Sequence, residues 1–170
     1  MNETPEDLRA LQELIDTSLA AQKSSNLKEI FPAQYALTAG DIVALFPETR
    51  VVALATVTAK CEPRVVPVDV LFYRGHFYHP ADIGSLRAKL WKRNPHVSLT
   101  YFDPEDNAVI VHGTVTIIDQ QHPEFEAIDQ FRRSRGRVSL REWSATAFYA
   151  RVDANRIFGK FGPAGPPSKL

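Results

Sequence analysis

Between Arg50 and Ile118 the chain alternates apolar and polar residues in short β-branched runs joined by brief turns. Val51 to Thr58 and Arg64 to Tyr73 flank the polar turn Ala59 to Glu62. His76 to His79 follows Arg74-Gly75, and His96 to Phe102 and Ala108 to Ile118 flank the turn Asp103 to Asn107. Parallel strands need a crossover of about a dozen residues or more, so runs joined this tightly must pair antiparallel. Ala147 to Val152 supplies a last strand. Many short strands with few helices predict a closed or nearly closed antiparallel barrel, an α+β fold in which helices flank the sheet.

The faces of these runs differ. Val66, Val68, Val70 and Phe72 share one side of the second run, which is core material; Val65, Pro67, Asp69, Leu71 and Tyr73 share the other, which is mixed and suited to a ligand or partner. Thr4 precedes Pro5 and stands three residues before Asp7, a helix start, and Leu8, Leu11, Ile15 and Leu19 then recur at helical spacing to about Gln22. That apolar stripe must pack on the barrel or on a partner. Thr38 and Asp41 form a second cap before a short helix over Ile42 to Phe46. The chain thus divides into an N-terminal helical segment over 1–47, a barrel over 48–160 and a flexible Gly/Pro-rich tail over 161–170.

Lys plus Arg and Asp plus Glu each total 20. That balance argues against a nucleic-acid binder, whose affinity comes largely from neutralising phosphates. One cysteine, Cys61, allows no internal disulfide and fits a reducing compartment. No apolar run approaches membrane-spanning length, and the acidic start is unlike a secretory leader, so the expected setting is cytoplasmic.

Among candidate sites, Ser85 to Arg93 reads as a helix preceded by the loop Pro80 to Gly84 and ended by Asn94-Pro95. A helix start offers unpaired amides, Ser85 a hydroxyl, and Arg87 and Lys89 cations, which together make an anion site; the plainer alternative is an ordinary capped helix with solvated charges. His79 ends a strand beside this loop. His76, His96, His112 and His122 are scattered, and with Cys61 they compose no metal set. Arg132, Arg133, Arg135, Arg137 and Arg141 form either a solvated loop or an anion clamp, with Trp143 nearby as a possible stacking platform or a core residue. The stretch Gly159 to Gly165 lacks the strand-to-helix context of a dinucleotide or P-loop motif.

With these residues laid out, the region resembles the pyridoxamine-phosphate-oxidase-like FMN-binding split barrels. The resemblance rests on Ala55-Thr56-Val57, Glu62-Pro63 leading into the second strand, and the third strand with its loop to Ser85. Leu86-Arg87-Ala88-Lys89, Asn94-Pro95, His96-Val97-Ser98-Leu99 and Gly113-Thr114-Val115 complete the ordered set. It implies a six-stranded antiparallel split β-barrel, a homodimer, and FMN in a groove at the subunit interface. Val66, Pro67, Val68 and Asp69 are then expected along the isoalloxazine and His79 near the ribityl chain. Ser85 and Arg87 are expected at the phosphate; Lys89 and Trp143, candidates from the residues themselves, complete the cofactor-binding set. The implied activity is an FMN-dependent oxidoreductase acting on a small conjugated substrate with a small-molecule reductant, and no side chain is nominated as acid or base. The alternatives are a deazaflavin coenzyme, whose longer anionic tail suits the arginine cluster, and a non-catalytic FMN- or haem-binding protein with His79 or His112 as axial ligand. The chain departs from the oxidase itself: Leu86-Arg87 replaces Arg-Lys, the usual glycine of the first hairpin is replaced around Cys61, and no segment matches its substrate-gripping C-terminus.

Overall fold

A computed structural model describes residues 2–23, 25–30 and 32–169. Six strands, β1 (Arg50–Val57), β2 (Pro63–Tyr73), β3 (His76–Asp82), β4 (His96–Phe102), β5 (Ala108–Ile118) and β6 (Ala147–Lys160), form a closed antiparallel barrel in the order β1-β2-β3-β6-β5-β4. The predicted alternation holds: Val68, Val70 and Phe72 are buried and Val66 packs against the same core, while Val65 and Pro67 are exposed. β6 runs well past the predicted end at Val152, although its alternation breaks over Asp153 to Arg156. It continues because β5 is long enough to pair with it through Lys160, across an irregularity at His112/Gly113. Gly113 is required there, since a Cβ would lie 2.3 Å from the Asp153 carbonyl oxygen.

β3 also extends beyond expectation, through Pro80 to Asp82. Its pairing with β2 stops at Leu71↔Tyr78, and from His79 onward β6 is its ladder neighbour. Pro80 is tolerated where the strand is paired on one side only. That parting of β2 and β3 is the opening from which the candidate site is built.

The helix α1 (Pro5–Ala20) starts in the predicted capping box, with Thr4 Oγ1 accepting from Asp7 N and the Asp7 carboxylate accepting from Thr4 N. Its stripe packs on the chain's own barrel: Leu11 and Ile15 are buried in the main core, and Ser18 Oγ accepts from Ile157 N of β6 at 3.0 Å. A short helix α2 (Ser25–Ile30) follows where the sequence reads as the end of the first helix. α3 (Ala39–Leu45) is capped by Thr38 and Asp41 and closes one end of the barrel with Ile42, Leu45 and Phe46. The terminal stretch reaches back to it, with Ser168 N donating to Asp41 Oδ1 at 3.1 Å. No helix of the described residues is long and apolar enough to cross a membrane.

α4 (Leu86–Trp91) follows β3, and α5 (Phe125–Ser134) and α6 (Leu140–Trp143) follow β5. α5 covers a second core outside the barrel, where Phe125, Ile128 and Phe131 meet Leu71, Tyr78 and Tyr149. Its buried Asp129 accepts from Tyr149 Oη (2.9 Å), Ser139 Oγ (2.7 Å) and Leu140 N (2.8 Å). One carboxylate thereby fixes the arginine-rich loop between α5 and α6 against the barrel.

Candidate functional site

A cavity of about 490 Å³ lies where β2 and β3 part, and its wall comes from six elements and one loop. β1 gives Val51; β2 gives Pro67, Val68 and Asp69; β3 gives His79 and Pro80; α4 gives Arg87; α5 gives Arg132, the following loop Val138 and α6 Trp143. This volume falls within the usual range for small-molecule sites, and the mixture of an apolar floor with a few polar groups is typical of them.

Each polar group is placed by local structure. Because β2 and β3 separate after Tyr78, the Asp69 carbonyl is free to accept from His79 Nδ1–H at 2.9 Å. His79 is only 5% exposed, and burial pushes its pKa down to about 4, so the ring is neutral at ordinary pH. Arg87 sits one turn before Trp91 on α4; its guanidinium is half-buried and its Nε is buried with no hydrogen-bond partner. Arg132 Nε donates to the Val138 carbonyl at 2.9 Å, which shapes the loop and leaves the terminal nitrogens of its fork unassigned to that bond. Trp143 is held by α6, whose cap Ser139 is tied to Asp129.

Of the nine residues singled out from the sequence, Pro67, Val68, Asp69, His79, Arg87 and Trp143 meet at this cavity. Val66 turns inward to the barrel core. Ser85 is the N-cap of α4, its Oγ accepting from Ala88 N at 3.2 Å, and Lys89 is exposed away from the cavity wall. Gly84 N donates to Asp82 Oδ1 and Ser85 N to the Asp82 carbonyl, so the loop that leads into α4 is folded on Asp82. The Asp82 carboxylate, held below the usual range by Ser144 Oγ, Gly84 N and Thr146 Oγ1, adds a negative charge at that corner. The cations that line the cavity are Arg87 and Arg132. Arg132 was legible only as one member of the arginine cluster; Val51, Pro80 and Val138 carried no individual signal. Elsewhere in that cluster Arg141 donates to the Gln120 carbonyl at 2.8 Å and lies over the Phe125 ring, and Arg135 lies over Phe131.

Residues 39–158 match the pyridoxamine 5'-phosphate oxidase family. The chain belongs to that family. No curated protein sequence matches it. Among solved structures, a conserved hypothetical protein from Mycobacterium tuberculosis is similar at 19% identity and a TM-score of 0.64, covering 77% of this chain and 89% of that one. HutZ, the haem storage protein from Vibrio cholerae, gives 17% and 0.61 over 72% and 94%. An FAD-binding protein from Mesorhizobium loti gives 20% and 0.56 over 73% and 93%. At these identities the likeness is one of fold, and the split barrel of the family is the fold found here.

Proposed function

We propose that this cavity binds FMN and that the protein is an FMN-dependent oxidoreductase acting on a small conjugated substrate. The observation that carries the reading is the pairing of an apolar floor, where Val51 and Pro67 present exposed side chains, with two arginines, Arg87 and Arg132, in the wall. A flat ring ending in a phosphate matches that division of chemistry. When bound, FMN supplies hydride or electron-pair transfer, and the protein supplies binding, orientation and exclusion of water.

In this reading the Pro67 side chain supports the ring, and Val66 and Val68 contribute through their backbone, since their side chains belong to the core. Arg87 and Arg132 take the phosphate, Arg with its planar fork being well suited to phosphate oxygens. Val138 and Trp143, both more than half exposed, are the apolar cover at the mouth, available to ring and substrate. Ser85 supports α4 as its cap, and Lys89 acts at longer range. A second chain completes the site: Val51, which lines the cavity, also belongs to an exposed outer face of β1 and β2 with Val65, and a homodimer across that face would close the mouth.

Arg87→Ala is expected to weaken FMN binding to the apoprotein by about 1.5–3 kcal/mol, the worth of a charge-assisted hydrogen bond. Titration followed by flavin fluorescence quenching measures it, and an unchanged affinity overturns the assignment. A deazaflavin with a longer anionic tail is the second reading, favoured by the further arginines that follow Arg132 in the chain. The absorbance spectrum of the purified protein separates the two, FMN giving two near-visible bands and a deazaflavin one at shorter wavelength.

A further inference from the structure

Beside the cavity, which His79 and Arg87 line, three buried polar atoms are left without hydrogen-bond partners: His79 Nε2, Arg87 Nε and Trp91 Nε1. They belong to one neighbourhood. Arg87 and Trp91 are four apart on α4 and so share a face, and the rings of His79 and Trp91 stand edge to face with centroids 6.2 Å apart. Buried polar groups almost always have partners, so three unpartnered ones in one place mark a position that something else completes.

Their chemistry says what. A carbonyl oxygen only accepts, so the bond to Asp69 fixes the proton of His79 on Nδ1 and leaves a lone pair on Nε2. Arg87 Nε and Trp91 Nε1 can only donate. We propose that this wall is a hydroxyl site: the group it takes must accept from Arg87 and Trp91 and at the same time donate to His79. A phosphate dianion has no proton to give and would set its lone pairs against that of His79; a second N–H donor would leave the arginine and tryptophan unmatched. An alcohol hydroxyl or a water molecule meets all three. Resting on the flavin reading above, the alcohol is one from the polyol chain that joins the ring to the phosphate. The phosphate itself then goes to the outer nitrogens of Arg87 and to Arg132, not to the inner wall. Arg87, half-buried on a long stem, is the member of the three able to move as the group enters.

Three flavins separate the contributions: FMN, riboflavin (which lacks the phosphate) and lumiflavin (which lacks the polyol as well). The wild type is expected to prefer riboflavin to lumiflavin. His79→Phe and Trp91→Phe should each cut that preference by about tenfold, the worth of one buried hydrogen bond left unmade, while the preference for FMN over riboflavin persists. That result assigns the hydroxyl to the cofactor. If the preference is unchanged but an NMR cross-peak joins the Trp91 indole N–H of wild type to a long-lived water, the site holds and water is its occupant. An unchanged preference with no such water overturns the proposal. So does nitrogen NMR of unmodified protein showing the proton of His79 on Nε2, a measurement that needs no variant to fold. Should none of the three flavins bind, the cofactor reading fails, and the two NMR observations still decide the hydroxyl site.

Discussion

Burial holds His79 neutral, and that makes the residue sensitive to acid. Its pKa falls from the ordinary 6.5 to about 4 in the folded chain, with desolvation the leading cause. Above 6.5 both folded and unfolded chains carry the neutral ring, and the full stability is present. As pH drops from 6.5 toward 4 the unfolded chain takes up a proton that the folded chain does not, so stability is lost across that window. The shift corresponds to a loss on the order of 3 kcal/mol. Urea unfolding at a series of pH values between 7 and 4 measures it, with His79→Phe as the comparison. The variant's profile should be flatter by that amount, and parallel profiles would refute the account. The same burial explains why the role of His79 was only half legible. The sequence places it at a strand end next to a loop. It does not show that β2 and β3 part at Tyr78, which is what frees the Asp69 carbonyl to fix the ring's proton.

At the scale of elements, Asp129 joins α5, α6 and β6 through residues ten, eleven and twenty positions away. Asp129→Ala leaves a buried tyrosine hydroxyl, a serine hydroxyl and a backbone amide without their acceptor. The expected loss is about 3 kcal/mol or more, since each unsatisfied buried group costs roughly 1–3 kcal/mol. A lowered thermal midpoint accompanied by changed Trp143 emission would show that this carboxylate seats the loop at the cavity mouth; a lowered midpoint with unchanged emission would limit it to the core. The β1–β2 hairpin makes a prediction of opposite sign. Cys61 holds φ 61°, the left-handed conformation that glycine adopts without strain. Cys61→Gly should raise the urea midpoint, by about 0.5–1 kcal/mol in stability, at constant slope, the relief of strain outweighing the entropy of glycine. Helix starts and hairpins were readable because their causes are local: Thr4, Thr38 and Ser85 all cap the helices that follow them. The far half of β6 and the seating of the arginine loop were not. The first is held by pairing with β5 through a stretch whose own alternation fails, and the second by a carboxylate whose partners are distant in sequence.

For the whole molecule the remaining question is what covers the outer face of β1, β2 and β4. The register sets Ala53 opposite Pro67 and Thr100, and Ala55 opposite Val65 and Ser98, so one side of three neighbouring strands carries small or apolar residues. Val51 (60% exposed), Val65 (63%) and Phe102 (72%) lie on it. Large contiguous apolar patches are uncommon on monomeric proteins, and a face of small side chains on a sheet allows close approach of a matching one. Because Val51 and Pro67 belong both to this face and to the cavity wall, a second copy docked here would sit at the mouth of the site. Val65→Glu combined with Phe102→Glu places carboxylates in such a contact, where their desolvation has no compensating partner. Light scattering at micromolar concentration should then give half the mass found for wild type. FMN affinity should fall in the same variant, although neither substituted residue lines the cavity, because the mouth would lose its cover. A wild-type protein that is monomeric while binding FMN would sink the dimer. A variant that stays dimeric would place the interface on another face, and a monomeric variant with wild-type FMN affinity would mean that the cavity of one chain is sufficient.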